Sequence, residues 1–124
     1  TWDAARRPLV VTAPAPFDSG SNLVRTITAY DPDGRVVSVT RTNGTGASVT
    51  ARTEYTLTGQ VLATMDPNGN RTSFAYDGAE RLRRVTLPAS LGRTTRYVYD
   101  GAGRLLQVID NTGTAAEVYA YTLN

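Results

Sequence analysis

The chain has 124 residues, of which 40% are hydrophobic and 19% charged, and 13 basic against 11 acidic residues give a net charge of +2. This composition suits one folded domain rather than a disordered chain. Neither cysteine nor histidine occurs, which excludes thiol chemistry, disulfides, histidine-dependent hydrolysis and imidazole metal sites. No apolar run approaches the ~20 residues of a membrane-spanning helix.

A block that begins with an aromatic residue recurs along the chain. In the first block Trp2 is followed by Asp3 and Arg7, and then by the apolar stretch 9–11. A long connection through Pro14 and Pro16 leads to the second block. That block repeats the order with Tyr30, Asp31, Gly34 and Arg35.

The later blocks keep this order with substitutions. The third has Tyr55, Thr56, Gly59 and Gln60; the fourth has Tyr76, Asp77, Glu80 and Arg81; the fifth has Tyr99, Asp100, Gly103 and Arg104. Tyr121 begins a block that the end of the sequence truncates. A recurring period near 22 residues is typical of repeat proteins, so we predict one array of about five repeats over residues 1–124.

Each block is predicted to form a β-hairpin. An aromatic-rich strand leads into a tight turn in which the glycine adopts positive φ and the aspartate accepts backbone hydrogen bonds. The residues seven and nine places after the anchor, such as Val37 with Val39 and Leu106 with Val108, are predicted to share one face of the second strand. Stacked hairpins would bury one continuous apolar face. The chain is rich in Thr, Val and Tyr and shows no helical period, which predicts an all-β fold.

The motif in these blocks resembles that of a known repeat family. Residues 97–105 read Tyr-Val-Tyr-Asp-Gly-Ala-Gly-Arg-Leu after Gly92, and residues 74–77 with Arg81 and residues 30–36 are similar. The chain thereby resembles the RHS/YD-repeat family from Trp2 to Tyr121. Its departures from the motif are Trp2, Thr56, Glu80 and Arg6.

The resemblance implies a sheet of consecutive antiparallel hairpins that spirals into a hollow shell, of which five hairpins form an arc that is open at both ends. It also implies a segment of a secreted or cell-surface bacterial protein whose shell encloses a toxin or another polypeptide cargo. The family's self-cleavage motif, Asp-Pro-x-Gly-Leu, is not matched, because Arg35 and Asn70 stand in place of the leucine. The open edge strands predict self-association.

Two further patterns suggest chemistry, and each has a simpler interpretation. Residues 18–20 read Asp-Ser-Gly, as in an aspartic protease, but the matching second motif is absent because residues 110–113 contain one residue too many. The oxygen-bearing residues Asp66, Asn68, Asn70 and Asp77 follow the spacing of a calcium loop. Arg71 replaces the glycine that such a loop needs, so we interpret both patterns as turns and expect no metal, cofactor or catalytic residue.

A basic hairpin is the remaining candidate site. Its possible ligand-binding residues are Arg81, Arg83, Arg84, Arg93, Arg96 and Tyr97, with no acidic residue between 81 and 99. Planar guanidinium groups and tyrosines suit a sulfated glycan or a nucleic acid, whereas the simpler interpretation is a solvated strand face. The sequence therefore predicts a non-enzymatic scaffold, with a carbohydrate- or heparin-binding adhesion module as the alternative.

Overall fold

A computed structural model of the chain describes residues 1–14, 23–111 and 116–120. By contact density the chain divides into two compact units. The first comprises Thr1–Glu54 with Met65–Asn68, and the second comprises Tyr55–Thr64 with Gly69–Asn124.

The first unit contains four strands in sequence order. They are β1 (Val10–Pro14), β2 (Leu23–Tyr30), β3 (Val36–Thr42) and β4 (Ser48–Tyr55). Consecutive strands pair antiparallel, with Val11 opposite Thr26, Ile27 opposite Thr40 and Val39 opposite Ala51. Thr and Val dominate these strands because β-branched side chains fit a pleated surface.

The second unit continues the same arrangement. Its strands, again in sequence order, are β5 (Val61–Met65), β6 (Arg71–Tyr76), β7 (Leu82–Thr86), β8 (Thr94–Tyr99), β9 (Leu105–Asn111) and β10 (Ala116–Ala120). The pairs β6–β7, β7–β8, β8–β9 and β9–β10 are antiparallel. The all-β prediction of consecutive antiparallel hairpins is confirmed. The described residues also contain no helix long and apolar enough to cross a membrane.

A β-bulge interrupts the alternation of the outgoing strand beside three of the tight turns. Tyr30 pairs with Val36, Tyr76 with Leu82 and Tyr99 with Leu105, six places after each anchor. The next residue of the outgoing strand is therefore unpaired: Val37, Arg83 or Leu106. An extra residue in one strand shifts every later side chain to the opposite face.

The expected continuous apolar interior is absent from the described residues. Ala63 is the one fully buried hydrophobic residue among them, and Leu62 is 41% exposed. Tyr30, Tyr55, Tyr76 and Tyr99 and most other described strand residues are half-buried. Stability therefore rests on backbone pairing and on the polar contacts described below.

Candidate functional site

Each repeat segment that begins with aspartate and ends with arginine four residues later folds into a turn around that aspartate. In residues 100–104 the Asp100 amide donates to the Arg104 carbonyl at 2.9 Å, and the Gly103 amide donates to the Asp100 carbonyl at 3.0 Å. The Asp100 Oδ1 atom accepts the backbone amides of Ala102 and Arg104, while Oδ2 accepts Arg104 Nε at 2.8 Å. The same hydrogen bonds are found around Asp3, Asp31 and Asp77.

These hydrogen bonds lower the pKa of the turn carboxyl groups. For Asp77 and Asp100 the backbone amide four residues later is the largest cause, and the arginine side chain adds to it. Asp3 behaves in the same way. For Asp31 burial is the largest single influence and raises the pKa, but the combined bonds to Arg35 outweigh it. The aspartates are thus held as structural anions.

Two turns achieve this geometry without a carboxylate. Thr56 Oγ1 accepts the Gln60 amide at 3.0 Å. In residues 43–47, between β3 and β4, Asn43 Oδ1 accepts the amides of Thr45 and Ala47. Sequence reasoning missed the second case, although its Asn-x-x-Gly order carries the signal.

The anchor tyrosines connect neighbouring blocks through their hydroxyl groups. Tyr30 Oη donates to the Pro8 carbonyl at 3.1 Å, Tyr76 Oη to the Val61 carbonyl at 2.8 Å and Tyr99 Oη to the Leu82 carbonyl at 2.7 Å. Each acceptor directly follows the last residue of the preceding block's turn. One hydrogen bond of the same design therefore recurs between successive blocks.

The turn arginine also contacts the following block. The guanidinium of Arg7 lies 4.5 Å from the centre of the Tyr30 ring, and that of Arg81 lies 4.6 Å from the centre of the Tyr99 ring. A methyl group at Gly103 would lie 3.1 Å from Arg81 Nη1. The turn glycine therefore provides positive φ and also room for the arginine of the block before it.

The contact between the third and fourth blocks departs from this design at one position in each block. Glu80 stands at the glycine position with φ of 62°. The preceding block has Gln60 in place of arginine, and Gln60 Nε2 donates to the Glu80 carbonyl at 2.6 Å. Thus, where Glu80 occupies the glycine position, the preceding block has glutamine instead of arginine, and the shorter Gln60 side chain bonds to the backbone of Glu80.

The structure divides the predicted ligand-binding arginines into two groups. Arg81 is ion-paired with Asp77 and stacks on Tyr99, and Arg93 is ion-paired with Asp110. The other three, Arg83, Arg84 and Arg96, are exposed, and their side chains make no ion pair or hydrogen bond within the described residues. Sequence reasoning missed Asp110 as a partner because the ion pair spans 17 residues.

A cavity of about 250 Å³ lies beside this hairpin. It is lined by Asp77, Arg81, Arg83, Arg96, Tyr97, Val98 and Tyr99. Arg83 is the unpaired bulge residue of β7, and the Tyr97 hydroxyl has no hydrogen bond within the described part of the chain. The structure thus brings four of the six predicted ligand-binding residues together, while Arg84 and Arg93 do not line the cavity.

The residues of the other predicted patterns either form turns or lie outside the described residues. Asp66 Oδ1 accepts the Asn68 amide at 2.9 Å within its turn, and the Asp77 carboxylate is engaged by its own turn. No group of three or more acidic residues in the described ranges is arranged to hold a metal ion. The Asp-Ser-Gly motif at 18–20, residues 112–113 and Tyr121 lie outside the described residues.

Comparison with known proteins agrees with this recurring geometry. Two consecutive segments, residues 55–90 and 89–115, match the model of the RHS repeat. A search of the curated proteins finds no match. RHS repeats are structural units of larger arrays, and the matched segments include the turns at 56–60, 77–81 and 100–104. The chain belongs to the RHS-repeat family.

Proposed function

We propose that the chain is a non-enzymatic wall segment of an RHS-type shell that encloses a polypeptide cargo, such as a toxin, in a secreted or cell-surface bacterial protein. The supporting observation is the recurring link between blocks, in which a tyrosine hydroxyl bonds to the carbonyl after the preceding turn. Residues that serve such links and turns are engaged in structure: the carboxylates of Asp77 and Asp100 are bound by their own turns.

In this proposal the chain forms one array of about five repeats over residues 1–124. The structural positions of the repeat are Trp2, Asp3, Tyr30, Asp31, Gly34, Arg35, Tyr55, Gly59, Tyr76, Asp77, Arg81, Tyr99, Asp100, Gly103 and Arg104. Its partners are further repeats and the enclosed cargo. Unpaired strand edges would make an isolated segment self-associate, which analytical ultracentrifugation over a range of concentrations tests.

Limited proteolysis of the parent polypeptide tests the enclosure. We expect the cargo to resist protease in the wild type and to become cleavable with Tyr99→Ala, because this variant removes both the stacking surface for Arg81 and the bond to Leu82. The control is Tyr97→Ala, since Tyr97 makes no such bond in the described residues. A cargo that is cleaved equally fast in the wild type contradicts the proposal.

A second candidate function is a carbohydrate- or heparin-binding adhesion module. The observation that favours it is the set of three exposed arginines whose side chains make no ion pair in the described residues, of which Arg83 and Arg96 line the cavity with Tyr97. Binding to a heparin column at low and physiological salt tests it, because exposed ionic contacts weaken as salt rises. Specific retention at physiological salt supports the module, and flow-through of folded protein at both salt concentrations refutes it.

A further inference from the structure

The β7–β8 hairpin holds two guanidinium groups directly opposite each other. Arg84 pairs with Arg96 across the two strands, so both side chains project from the same face with Cβ atoms about 5 Å apart. Both are exposed, and neither guanidinium group makes an ion pair or hydrogen bond within the described residues. Like charges in this arrangement destabilise a sheet. An anion placed between them would turn that repulsion into attraction.

No carboxylate neutralises this pair on its own face. Along the row that crosses the strands, Arg84 is flanked by Ala75 on β6 and Arg96 by Ile109 on β9. The acidic residue closest to the pair in the strand register is Asp110, which lies opposite Thr95 on the other face of the sheet. Its carboxylate is bound by Arg93 and Thr95. Strand register places no acidic residue of β6–β9 on the face of the two arginines.

A row of neutral hydrogen-bonding residues runs beside the arginines. Two positions further along the strands, roughly 7 Å away, lie Ser73, Thr86, Thr94 and Asn111, each opposite the next. The hydroxyls of Thr86 and Thr94 have no partner within the described residues. The face therefore combines two cations for an oxyanion with hydroxyl groups for a neutral polar portion of the same ligand.

We propose that Arg84 and Arg96 bind a sulfate ester of an anionic oligosaccharide, with Thr86 and Thr94 contacting the sugar hydroxyls. This inference rests on the second candidate function and identifies its binding residues. Guanidinium groups bind oxyanions through paired, charge-assisted hydrogen bonds. A saccharide is favoured over a nucleic acid because strand register places no aromatic residue of β6–β9 on this face for base stacking. Phe74 and Tyr97, which pair with Val85 and Val108, lie on the other face.

The test measures binding of a heparin hexasaccharide by calorimetry at physiological salt. The variants are Arg84→Thr and Arg96→Thr, and threonine is chosen because it preserves β-propensity. The matched control is Arg52→Thr, which replaces an exposed strand arginine of β4 that lies opposite Ser38. Arg83→Thr is a further variant, because Arg83 belongs to the same candidate set. We expect each variant of the pair to weaken binding about tenfold, as for the loss of a charge-assisted hydrogen bond, and Arg52→Thr to change it little. Circular dichroism checks that every variant keeps its β structure.

The outcomes separate this inference from the candidate function. If Arg83→Thr abolishes binding while the paired variants bind normally, the chain binds glycan but the Arg84–Arg96 assignment is wrong. If no folded protein binds the hexasaccharide, both fail. Fully desulfated hexasaccharide should not bind, and binding of it at equal affinity would overturn the sulfate assignment. Inorganic sulfate that binds as tightly as the hexasaccharide would overturn the role of the threonines.

Discussion

The guanidinium of Arg7 lies 4.5 Å from the centre of the Tyr30 ring, so the end of one turn rests on the anchor of the next block. A methyl group at Gly34, in the turn that follows Tyr30, would lie 2.5 Å from Arg7 Nη1. This contact makes the glycine and the preceding arginine interdependent.

Gly34→Ala should therefore destabilise the chain more than an alanine at a comparable glycine without this neighbour. Gly46 is the matched control, because its φ of 87° equals that of Gly34 within a degree and no atom would contact the added methyl group within 4 Å. We expect Gly46→Ala to cost about 1–2 kcal/mol of unfolding free energy for the left-handed backbone. Gly34→Ala should cost about 1 kcal/mol more as the cation–π contact is displaced.

Urea unfolding of the double variant completes this comparison. In an Arg7→Gln background, which reproduces the Gln60 position, the excess cost of Gly34→Ala should disappear. An excess that persists unchanged without the arginine would show that the two residues are independent.

The tyrosine hydroxyls should each contribute to stability. Tyr76→Phe and Tyr99→Phe remove the donors to the Val61 and Leu82 carbonyls and should each lower the unfolding free energy by about 1 kcal/mol. Tyr97→Phe is the control, since its hydroxyl makes no hydrogen bond within the described residues, and should leave urea unfolding unchanged. Equal effects of all three substitutions would contradict a specific role for the link between blocks.

Acid should loosen the aspartate turns before the threonine turn. The pKa values of Asp77 and Asp100 lie below the ordinary 3.8 in the folded chain, so their contribution is complete above pH 3.8 and is lost as the pH falls through the lower folded values. Hydrogen exchange should show the Arg81 and Arg104 amides losing protection in this range. The Gln60 amide, which donates to Thr56 Oγ1, is the internal control. Simultaneous loss at all three amides would indicate global unfolding instead.

Glu80→Gly should stabilise the chain. Glu80 occupies φ of 62°, a conformation that costs a non-glycine residue about 1–2 kcal/mol, and its backbone carbonyl would still accept the Gln60 amide. We expect a gain of about 1 kcal/mol in urea unfolding after the greater flexibility of glycine in the unfolded chain is included. Glu80→Ala, which keeps a Cβ at this φ, should bring no comparable gain.

What local sequence determined is the hairpin order and the turns. The five residues of a turn determine its conformation by themselves, since Asp100 Oδ1 accepts the amides two and four residues later and Gly103 supplies the positive φ. The family motif consists of these same turn positions, so the sequence alone also indicated the RHS repeat.

What only the tertiary structure decided are the contacts between strands. The bulge after each anchor set which face Arg84 occupies, the pairing of β7 with β8 placed it opposite Arg96, and β9 supplied Asp110 to Arg93. Spacing along the chain does not encode these contacts, because a shift of one residue in strand register exchanges the two faces of a sheet. The basic segment that looked uniform in sequence thereby separates into two arginines engaged in ion pairs, Arg81 and Arg93, and three whose side chains make no ion pair within the described residues.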